Sequence, residues 1–177
     1  GTDIISYTIQ DGRGGSATSV VNVTINTVPV ANVDNIITNE NTAVNIDVII
    51  NDTDADSDSL TISSASASNG AVVVQADNTI VYTPTTDFIG TNLINYTITD
   101  GRGGYATSTA TVSVNSPPVA NVDEIITNIN TSVEINAISN DTDTDGDTIT
   151  ITSASATTGT VTVQTNGLLL YTPLTDY

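Results

Sequence analysis

An internal repeat of 89 residues limits the possible architectures of this chain more than any other feature. A shift of that length aligns GTDIISYTIQDGRGG with GTNLINYTITDGRGG, PVANVD with a second PVANVD, and NDTDADSD with NDTDTDGD, without insertion or deletion. A repeat this regular predicts a string of like modules in which each module contacts mainly its neighbours. We therefore expect the functional sites to lie at the junctions between modules.

Apolar and polar residues alternate along most of the sequence, as in Val44, Ile46 and Val48. Such period-two patterning predicts strands with one buried face, and Gly, Asn and Pro turn signals separate them. The pattern predicts an all-β fold of tandem immunoglobulin-like sandwiches, each with seven antiparallel strands in a Greek key, one per 89-residue repeat. The strands expected in the central repeat are 34–38, 43–49, 59–67, 70–75, 78–82, 91–99 and 105–114.

The phase of the repeat divides the chain into three segments. Residues 1–27 match the last two strands of a preceding repeat, residues 29–116 make one complete domain, and residues 117–177 match the first five strands of a following repeat. The sequence is therefore interpreted as part of a longer repeat array.

Charge and composition narrow the range of partners. The chain has 20 acidic residues against two basic ones, which gives a formal net charge of -18. This charge repels nucleic acid and anionic membranes and attracts divalent cations, so we expect no nucleic-acid partner. No apolar run approaches the roughly 18 residues of a membrane span, and direct membrane insertion is not expected either. The chain has no Cys, so a disulfide framework is excluded and a metal is the natural alternative staple.

Two acidic loops carry the chemistry. Asp residues at alternate positions allow a loop to curl around one ion, and hard oxygen ligands favour Ca²⁺. The chain has no Cys, His or Met, which argues against zinc, copper and iron. The loops lack the spacing of an EF-hand, and a solvated acidic turn is the alternative interpretation. The residues concerned are Asp52, Asp54, Asp56 and Asp58 in the first loop and Asp141, Asp143, Asp145 and Asp147 in the second.

The predicted topology places further acidic residues at the two ends of the sandwich. Strands that alternate in direction bring Asp34, the loop of Asp52 to Asp58, Asp77 and Asp100 to the end that faces the preceding domain. Glu40 and Asp87 lie at the opposite end, where we expect them to approach Asp123 and the second acidic loop. Calcium at such a junction would turn a flexible string of domains into a stiff rod.

The order of PVANVD, NDTDxDxD, YTPxxDFxG and NYTITDGRGG resembles the cadherin-like tandem repeats of large bacterial surface proteins and adhesins. The resemblance implies immunoglobulin-like sandwiches, calcium at or near domain boundaries, and a role as an extracellular or cell-surface extender. Ser57 departs from the Gly of the family's acidic loop, whereas Gly146 keeps it. The acidic positions that the resemblance implies are Asp34, Asp54, Asp56, Asp58 and Asp100, with Asp11 matching Asp100, and Asp123, Asp143, Asp145 and Asp147 in the second copy.

Arg13 and Arg102 are the only basic side chains, and both lie in DGRGG. A guanidinium beside a carboxylate cluster predicts a salt bridge or hydrogen bonds to loop carbonyls, and a contact of Arg102 with a neighbouring domain or subunit is the alternative. Catalysis is not expected, because clustered turn Asp residues without His, Cys or Lys offer no nucleophile or tuned base.

Three roles stay open at this point. The first is a calcium-binding structural extender whose partners are adjacent repeats of the same chain. The second is a filament subunit completed by strand exchange with neighbouring copies in a fibre. The third is an adhesin module that binds a carbohydrate or a surface through polar faces such as Thr148, Thr150 and Thr152. Repetition favours the extender, because a binding tip is expected once and an extender many times.

Overall fold

The computed structural model describes residues 1–176, and this part of the chain contains strands and no helix. The all-β fold class predicted from the alternating pattern is confirmed. The strands are β1 (Thr2–Gln10), β2 (Ser16–Thr24), β3 (Asp34–Asn39), β4 (Val44–Ile46), β5 (Thr61–Ala67), β6 (Ala71–Val74), β7 (Ile80–Thr83), β8 (Gly90–Thr99), β9 (Tyr105–Asn115), β10 (Val133–Ile135), β11 (Thr160–Val163) and β12 (Leu169–Thr172).

The chain forms two compact units, one of residues 1–114 and one that begins at Asn115. In the first unit, β3, β9, β8 and β5 form a four-stranded sheet in that order, and β4, β7 and β6 form a three-stranded sheet. These seven strands lie close to the seven expected in the central repeat. The second strand is shorter than expected, because the backbone turns after Ile46 and the Asp47 carboxylate accepts a hydrogen bond from the Ile49 amide.

The inward-facing residues of both sheets form one hydrophobic core. Along β8 every second side chain is buried, as the alternation predicts. The core side chains are Ile46, Val48, Ile62, Ile80, Tyr82, Ile94, Tyr96, Ile98, Ala110, Val112 and Val114. The loops that carry the acidic residues extend from this packed scaffold.

The hairpin of β1 and β2 has the register of β8 and β9. Ile5 faces Val21 in the hairpin, and the equivalent Ile94 faces Ala110 in the sandwich. Ile94 is fully buried, whereas Ile5 is 52% exposed because the hairpin forms a sheet of only two strands. The repeat therefore preserves strand pairing even where no core covers the strands.

The second unit has one three-stranded sheet, in the order β10, β12 and β11, which is the counterpart of β4, β7 and β6. The sequence also predicts the first and third strands of this repeat, but residues 123–128 and 150–156 form no strand. Their counterparts β3 and β5 flank the β8–β9 pair in the first unit. The described residues of the second unit include no counterpart of that central pair.

An isolated bridge ties the start of each repeat to its acidic loop. Val30 and Thr53 exchange two backbone hydrogen bonds of 2.8 and 3.0 Å. Val119 and Thr142 make the equivalent bridge in the second unit. Each acidic loop is thereby held beside the linker that enters its repeat.

Candidate metal centre

The first acidic loop folds around the side chain of its own Asp54. The Asp54 Oδ1 atom accepts hydrogen bonds from the Asp56 amide at 2.8 Å and the Asp58 amide at 3.2 Å. One carboxylate oxygen from each of these three residues lies within 4.8 Å of the others. The sequence spacing therefore produces a close group of carboxylates, as predicted for a cation site.

The second acidic loop repeats this arrangement within its own unit. Asp143 Oδ1 accepts hydrogen bonds from the Asp145 amide at 3.1 Å and the Asp147 amide at 3.0 Å, and the three residues form a second close group. Gly146 has a φ of 82° here, and Ser57 adopts a φ of 61° at the same position of the first loop. The substitution of Ser for Gly preserves the turn but places a non-Gly residue in the left-handed region.

Asp56 links the first loop to the segment that precedes the sandwich. Its Oδ2 atom accepts a hydrogen bond of 2.7 Å from the Thr27 amide, and its Oδ1 atom lies 3.1 Å from the Gly1 nitrogen. The hydrogen bond from Thr27 lowers the pKa of Asp56 below its ordinary value. In the second unit the Ser116 amide donates to Asp145 Oδ2 at 2.8 Å, so the link recurs.

Asp58 and Arg102 form a salt bridge, which is one of the two structural interactions that the sequence predicts for this guanidinium. Arg102 Nε lies 2.7 Å from Asp58 Oδ1. The Asp58 side chain is only 10% exposed, whereas that of Arg102 is 57% exposed. The contact shows that the β8–β9 turn meets the loop between β4 and β5.

Asn26 and Asp100 join the same region from the linker and the β8–β9 turn. Asp100 is buried, and its Oδ2 accepts a hydrogen bond of 2.6 Å from Asn26 Nδ2. Its Oδ1 accepts from the amides of Arg102 at 2.8 Å and Gly104 at 2.9 Å. Desolvation by burial raises the pKa of Asp100, but these hydrogen bonds outweigh it and the net pKa lies below the ordinary value.

Buried oxygen atoms without partners indicate that the site suits a cation. Asn26 Oδ1, Asp54 Oδ2 and Asp58 Oδ2 are buried and have no hydrogen-bond partner among the described residues. Asn26, Asp56, Asp58 and Arg102 line one surface cleft. A buried carboxylate oxygen without a donor is costly, whereas Ca²⁺ binds six to eight such oxygens at about 2.3–2.6 Å. These oxygens are hard donors of the kind that calcium prefers.

Asp34 and Asp52 form a separate acidic pair beside Tyr96. Asp34 accepts hydrogen bonds of 3.0 Å from the Tyr96 hydroxyl and the Asn51 amide group, and Asp52 accepts one of 2.7 Å from the Asn32 backbone. Burial raises the pKa of both carboxyl groups, and the charge of Asp52 raises that of Asp34 further. Burial also raises the pKa of Tyr96. Asp52 lies at the start of the first acidic loop, but neither Asp52 nor Asp34 belongs to the three-carboxylate group.

The remaining predicted residues lie outside the two carboxylate groups of the described chain. Glu40 lies in the β3–β4 turn, next to Asn41, which exchanges hydrogen bonds with Asp87. The two connections thus meet at one end of the sandwich, as the topology predicts.

Three other predicted residues lie in the hairpin and the second unit. Asp11, the counterpart of Asp100, accepts hydrogen bonds from the Arg13 and Gly15 amides. Asp123 is exposed, and Asp141 accepts a hydrogen bond from the Asn121 amide. Among the described residues, Asp77 accepts hydrogen bonds only from Thr79, which lies in the same turn.

Sequence reasoning missed Asn26. It contributes both a donor to Asp100 and a buried, unpartnered oxygen. The signal was present, because Asn115 occupies the same place before the second linker and lines a cleft with Asp143 and Asp147. An amide has no charge, so the spacing of acidic residues gives no indication of Asn26.

Comparison with protein families decides the identity of the repeats. The family model described as bacterial Ig domain matches residues 26–114 and 115–177. The chain belongs to the bacterial Ig domain family. The two adjacent matches confirm the predicted tandem immunoglobulin-like repeats, and bacterial Ig domains typically occur in extracellular and surface proteins. No helix in the described part of the chain has the length and hydrophobicity needed to cross a bilayer.

Similarity to individual proteins is distant. A search among curated proteins finds no match. Among solved structures, the chain is similar to an endo-fucoidan hydrolase of glycoside hydrolase family 107, MfFcnA4, with 16% identity over 98% of this chain and a TM-score of 0.33. The H294Q variant of that enzyme gives 18% identity, 98% coverage and a TM-score of 0.37, and the related MfFcnA9 gives 14%, 64% and 0.33. The chain spans 30%, 30% and 22% of the length of these three structures, respectively.

Proposed function

We propose that this chain is a calcium-binding extender segment of a long extracellular or cell-surface adhesin or fibre. In this role the cation joins the linker that enters each repeat to the acidic loop of that repeat. The proposed role is structural and not catalytic. The observation that carries the proposal is the close group of Asp54, Asp56 and Asp58. In this group Asp54 Oδ2 and Asp58 Oδ2 are buried without a hydrogen-bond donor among the described residues, while Asp56 accepts a hydrogen bond from the Thr27 amide of the linker.

Charge balance supports a divalent cation at this position. Three carboxylates within 4.8 Å of one another repel unless positive charge lies between them, and Arg102 supplies one charge at the edge of the group. Calcium ligands from the loop, with Asn26 as an additional oxygen donor, would connect the hairpin segment to the sandwich. Such a crosslink removes freedom from the linker and would stiffen the array.

Calcium binding and thermal unfolding test the proposal directly. The chain is titrated with Ca²⁺ and with Mg²⁺, and its unfolding is followed by circular dichroism with and without chelator. A ligand at 100 times its Kd stabilises the folded state by about 2.7 kcal/mol, so we expect a rise of several degrees with Ca²⁺ and little with Mg²⁺.

Matched variants locate the effect. The double change Asp54→Asn and Asp58→Asn should abolish the contribution of the first loop, whereas Asp77→Asn removes an acidic charge outside the group and should retain it. Calcium-independent unfolding of the unaltered chain would contradict the proposal. Small-angle scattering with and without Ca²⁺ then tests stiffening, since a stiffened linker should narrow the distribution of particle dimensions.

We infer that the β1–β2 hairpin and the second unit each associate with another repeat of the same kind. Two observations favour this partner. The exposed β1–β2 hairpin has the register of the buried β8–β9 pair, and residues 123–128 and 150–156 form no strand where their counterparts flank that pair. Strands from another repeat of the same array or of a neighbouring copy could pair with these segments by strand addition.

Sedimentation of the chain over a range of concentrations tests association between copies. We expect self-association that Ile5→Asp weakens, because the counterpart of Ile5 is the fully buried Ile94. Ile4→Asp is the control, since Ile4 lies on the other face and its counterpart Leu93 is 46% exposed. A chain that stays monomeric at all concentrations would restrict the partner to covalently adjacent repeats.

A further inference from the structure

The contact between Arg102 and Asp58 places a fixed positive charge at the edge of the carboxylate group. Arg102 Nε donates to Asp58 Oδ1 at 2.7 Å, while Asp58 Oδ2 is buried and has no hydrogen-bond partner among the described residues. One oxygen of this nine-tenths buried side chain is thus bound to the guanidinium, and the other remains for a second ligand.

The position of Arg102 is set by the same turn that positions Asp100. The Asp100 Oδ1 atom accepts hydrogen bonds from the backbone amides of Arg102 and Gly104, and its Oδ2 atom accepts one from Asn26 Nδ2. The turn places the backbone of Arg102 next to the acidic loop. No other element is needed to direct the guanidinium towards Asp58. The guanidinium itself is partly in solvent, because the Arg102 side chain is 57% exposed.

We propose that Arg102 sets the calcium affinity of the first acidic loop by acting as a tethered competitor of the divalent ion. The inference rests on the calcium binding proposed above. In the calcium-free protein the guanidinium neutralises part of the carboxylate charge. When Ca²⁺ binds, Arg102 limits Asp58 to one free oxygen and repels the ion, so affinity is lower than the carboxylates alone would give.

Arg13 supplies a matched control within the chain. It lies in the other copy of the DGRGG sequence. Asp11 Oδ1 accepts hydrogen bonds from the Arg13 amide at 2.7 Å and the Gly15 amide at 2.9 Å. The backbone turn is therefore the same, but Arg13 forms no salt bridge with any described residue. Arg13→Gln removes the same net charge as Arg102→Gln without touching the carboxylate group.

Calorimetric titration of the full chain with CaCl₂ measures the effect. Asp145→Asn and Asp147→Asn are introduced throughout, so that the second loop does not contribute to the isotherm. We expect Arg102→Gln to tighten calcium binding roughly three- to tenfold, a moderate change because the guanidinium is partly screened by solvent. Arg102→Lys, which keeps the charge, and Arg13→Gln should both stay near the unaltered Kd.

Unfolding without calcium gives a second readout. Arg102→Gln should lower the unfolding temperature in chelator, because the carboxylates lose their counter-ion, and Arg13→Gln should not. An unchanged or weaker Kd in Arg102→Gln would overturn the inference and leave the calcium proposal intact. Equal tightening in Arg13→Gln would also overturn it, since the effect would then come from net charge. No binding by the reference chain with its first loop intact would overturn both.

Discussion

Asn26 and Asp100 lie 74 positions apart in the sequence and share a hydrogen bond of 2.6 Å between Nδ2 and Oδ2. Asn26 belongs to the linker after β2, and Asp100 begins the turn between β8 and β9. The bond therefore fastens the linker to the sandwich next to the acidic loop. Because Asn26 also has a buried oxygen without a donor, the residue connects the fold to the proposed cation site.

Asn26→Ala should weaken both functions of this residue. Loss of the hydrogen bond to a buried carboxylate should lower the unfolding temperature in chelator by a few degrees. Loss of the amide oxygen should also reduce the additional rise that Ca²⁺ produces. Asn22→Ala is the control, because Asn22 is exposed on β2. Equal unfolding temperatures for the two variants, with and without calcium, would show that Asn26 has neither role.

Tyr96→Phe should destabilise the central sandwich by about 1–2 kcal/mol, the range for a buried hydrogen bond left incomplete. The Tyr96 hydroxyl lies 2.6 Å from the Asn32 carbonyl oxygen and 3.0 Å from Asp34 Oδ2, and the residue is 1% exposed. Urea unfolding followed by circular dichroism measures the change. Tyr105→Phe removes a hydroxyl from a side chain that is 61% exposed and should have little effect.

Exchanging Ser57 and Gly146 tests the backbone of the two acidic loops. Ser57→Gly should stabilise the first unit, because Ser pays a steric cost at a φ of 61° that Gly does not. Gly146→Ser should destabilise the second unit for the same reason. Each change is expected to be about 1 kcal/mol or less, since Gly also increases the entropy of the unfolded chain. Opposite signs in thermal unfolding confirm the interpretation, and a loss of stability in both variants contradicts it.

The turn at Asp77 gives a pH-dependent prediction away from the proposed metal centre. Hydrogen bonds from the Thr79 hydroxyl and amide lower the pKa of Asp77 below its ordinary value of 3.8. A lowered pKa in the folded state means that the stabilisation is present above the ordinary pKa and is lost as the pH falls through the folded value. NMR titration of the carboxyl carbon should show this shift.

The second copy supplies the natural comparison for that turn. Asn166 and Leu168 replace Asp77 and Thr79 there, and the Leu168 amide still donates to Asn166 Oδ1 at 3.1 Å. Asp77→Asn should therefore preserve the turn and remove only its pH dependence. Thr79→Leu should raise the pKa of Asp77 towards 3.8, and an unchanged pKa would exclude the hydroxyl as the main cause.

The strands of the central sandwich were predictable because alternation of apolar residues directly records which face is buried. The same rule predicts β4 to be longer than it is, since Val48 is buried although the backbone has already turned at Asp47. It also fails at residues 123–128 and 150–156, where the pattern is present but the paired strands β8 and β9 have no counterpart within the second unit. Periodicity reports burial, whereas a strand also requires a hydrogen-bonding partner.

The acidic loops were predictable from carboxylate spacing, because alternate Asp residues need no distant element to come together. The sequence also predicted that Arg102 would pair with this region. It did not predict the role of Asn26, since an uncharged amide in a linker gives no spacing signal. Nor did spacing distinguish Asp34 and Asp52 from the group of Asp54, Asp56 and Asp58, because that distinction depends on the packing of Tyr96.

The bridge between Val30 and Thr53 has a mechanical consequence. Tension applied to a tandem array enters each sandwich through its linker, and Val30 is among the first residues to bear it. Its two hydrogen bonds to Thr53 must break together before the linker can peel away from the acidic loop. The resistance of each repeat to pulling is thereby concentrated beside its carboxylates. With the proposed calcium bound there, the ionic composition of the surroundings would set the force at which the array yields.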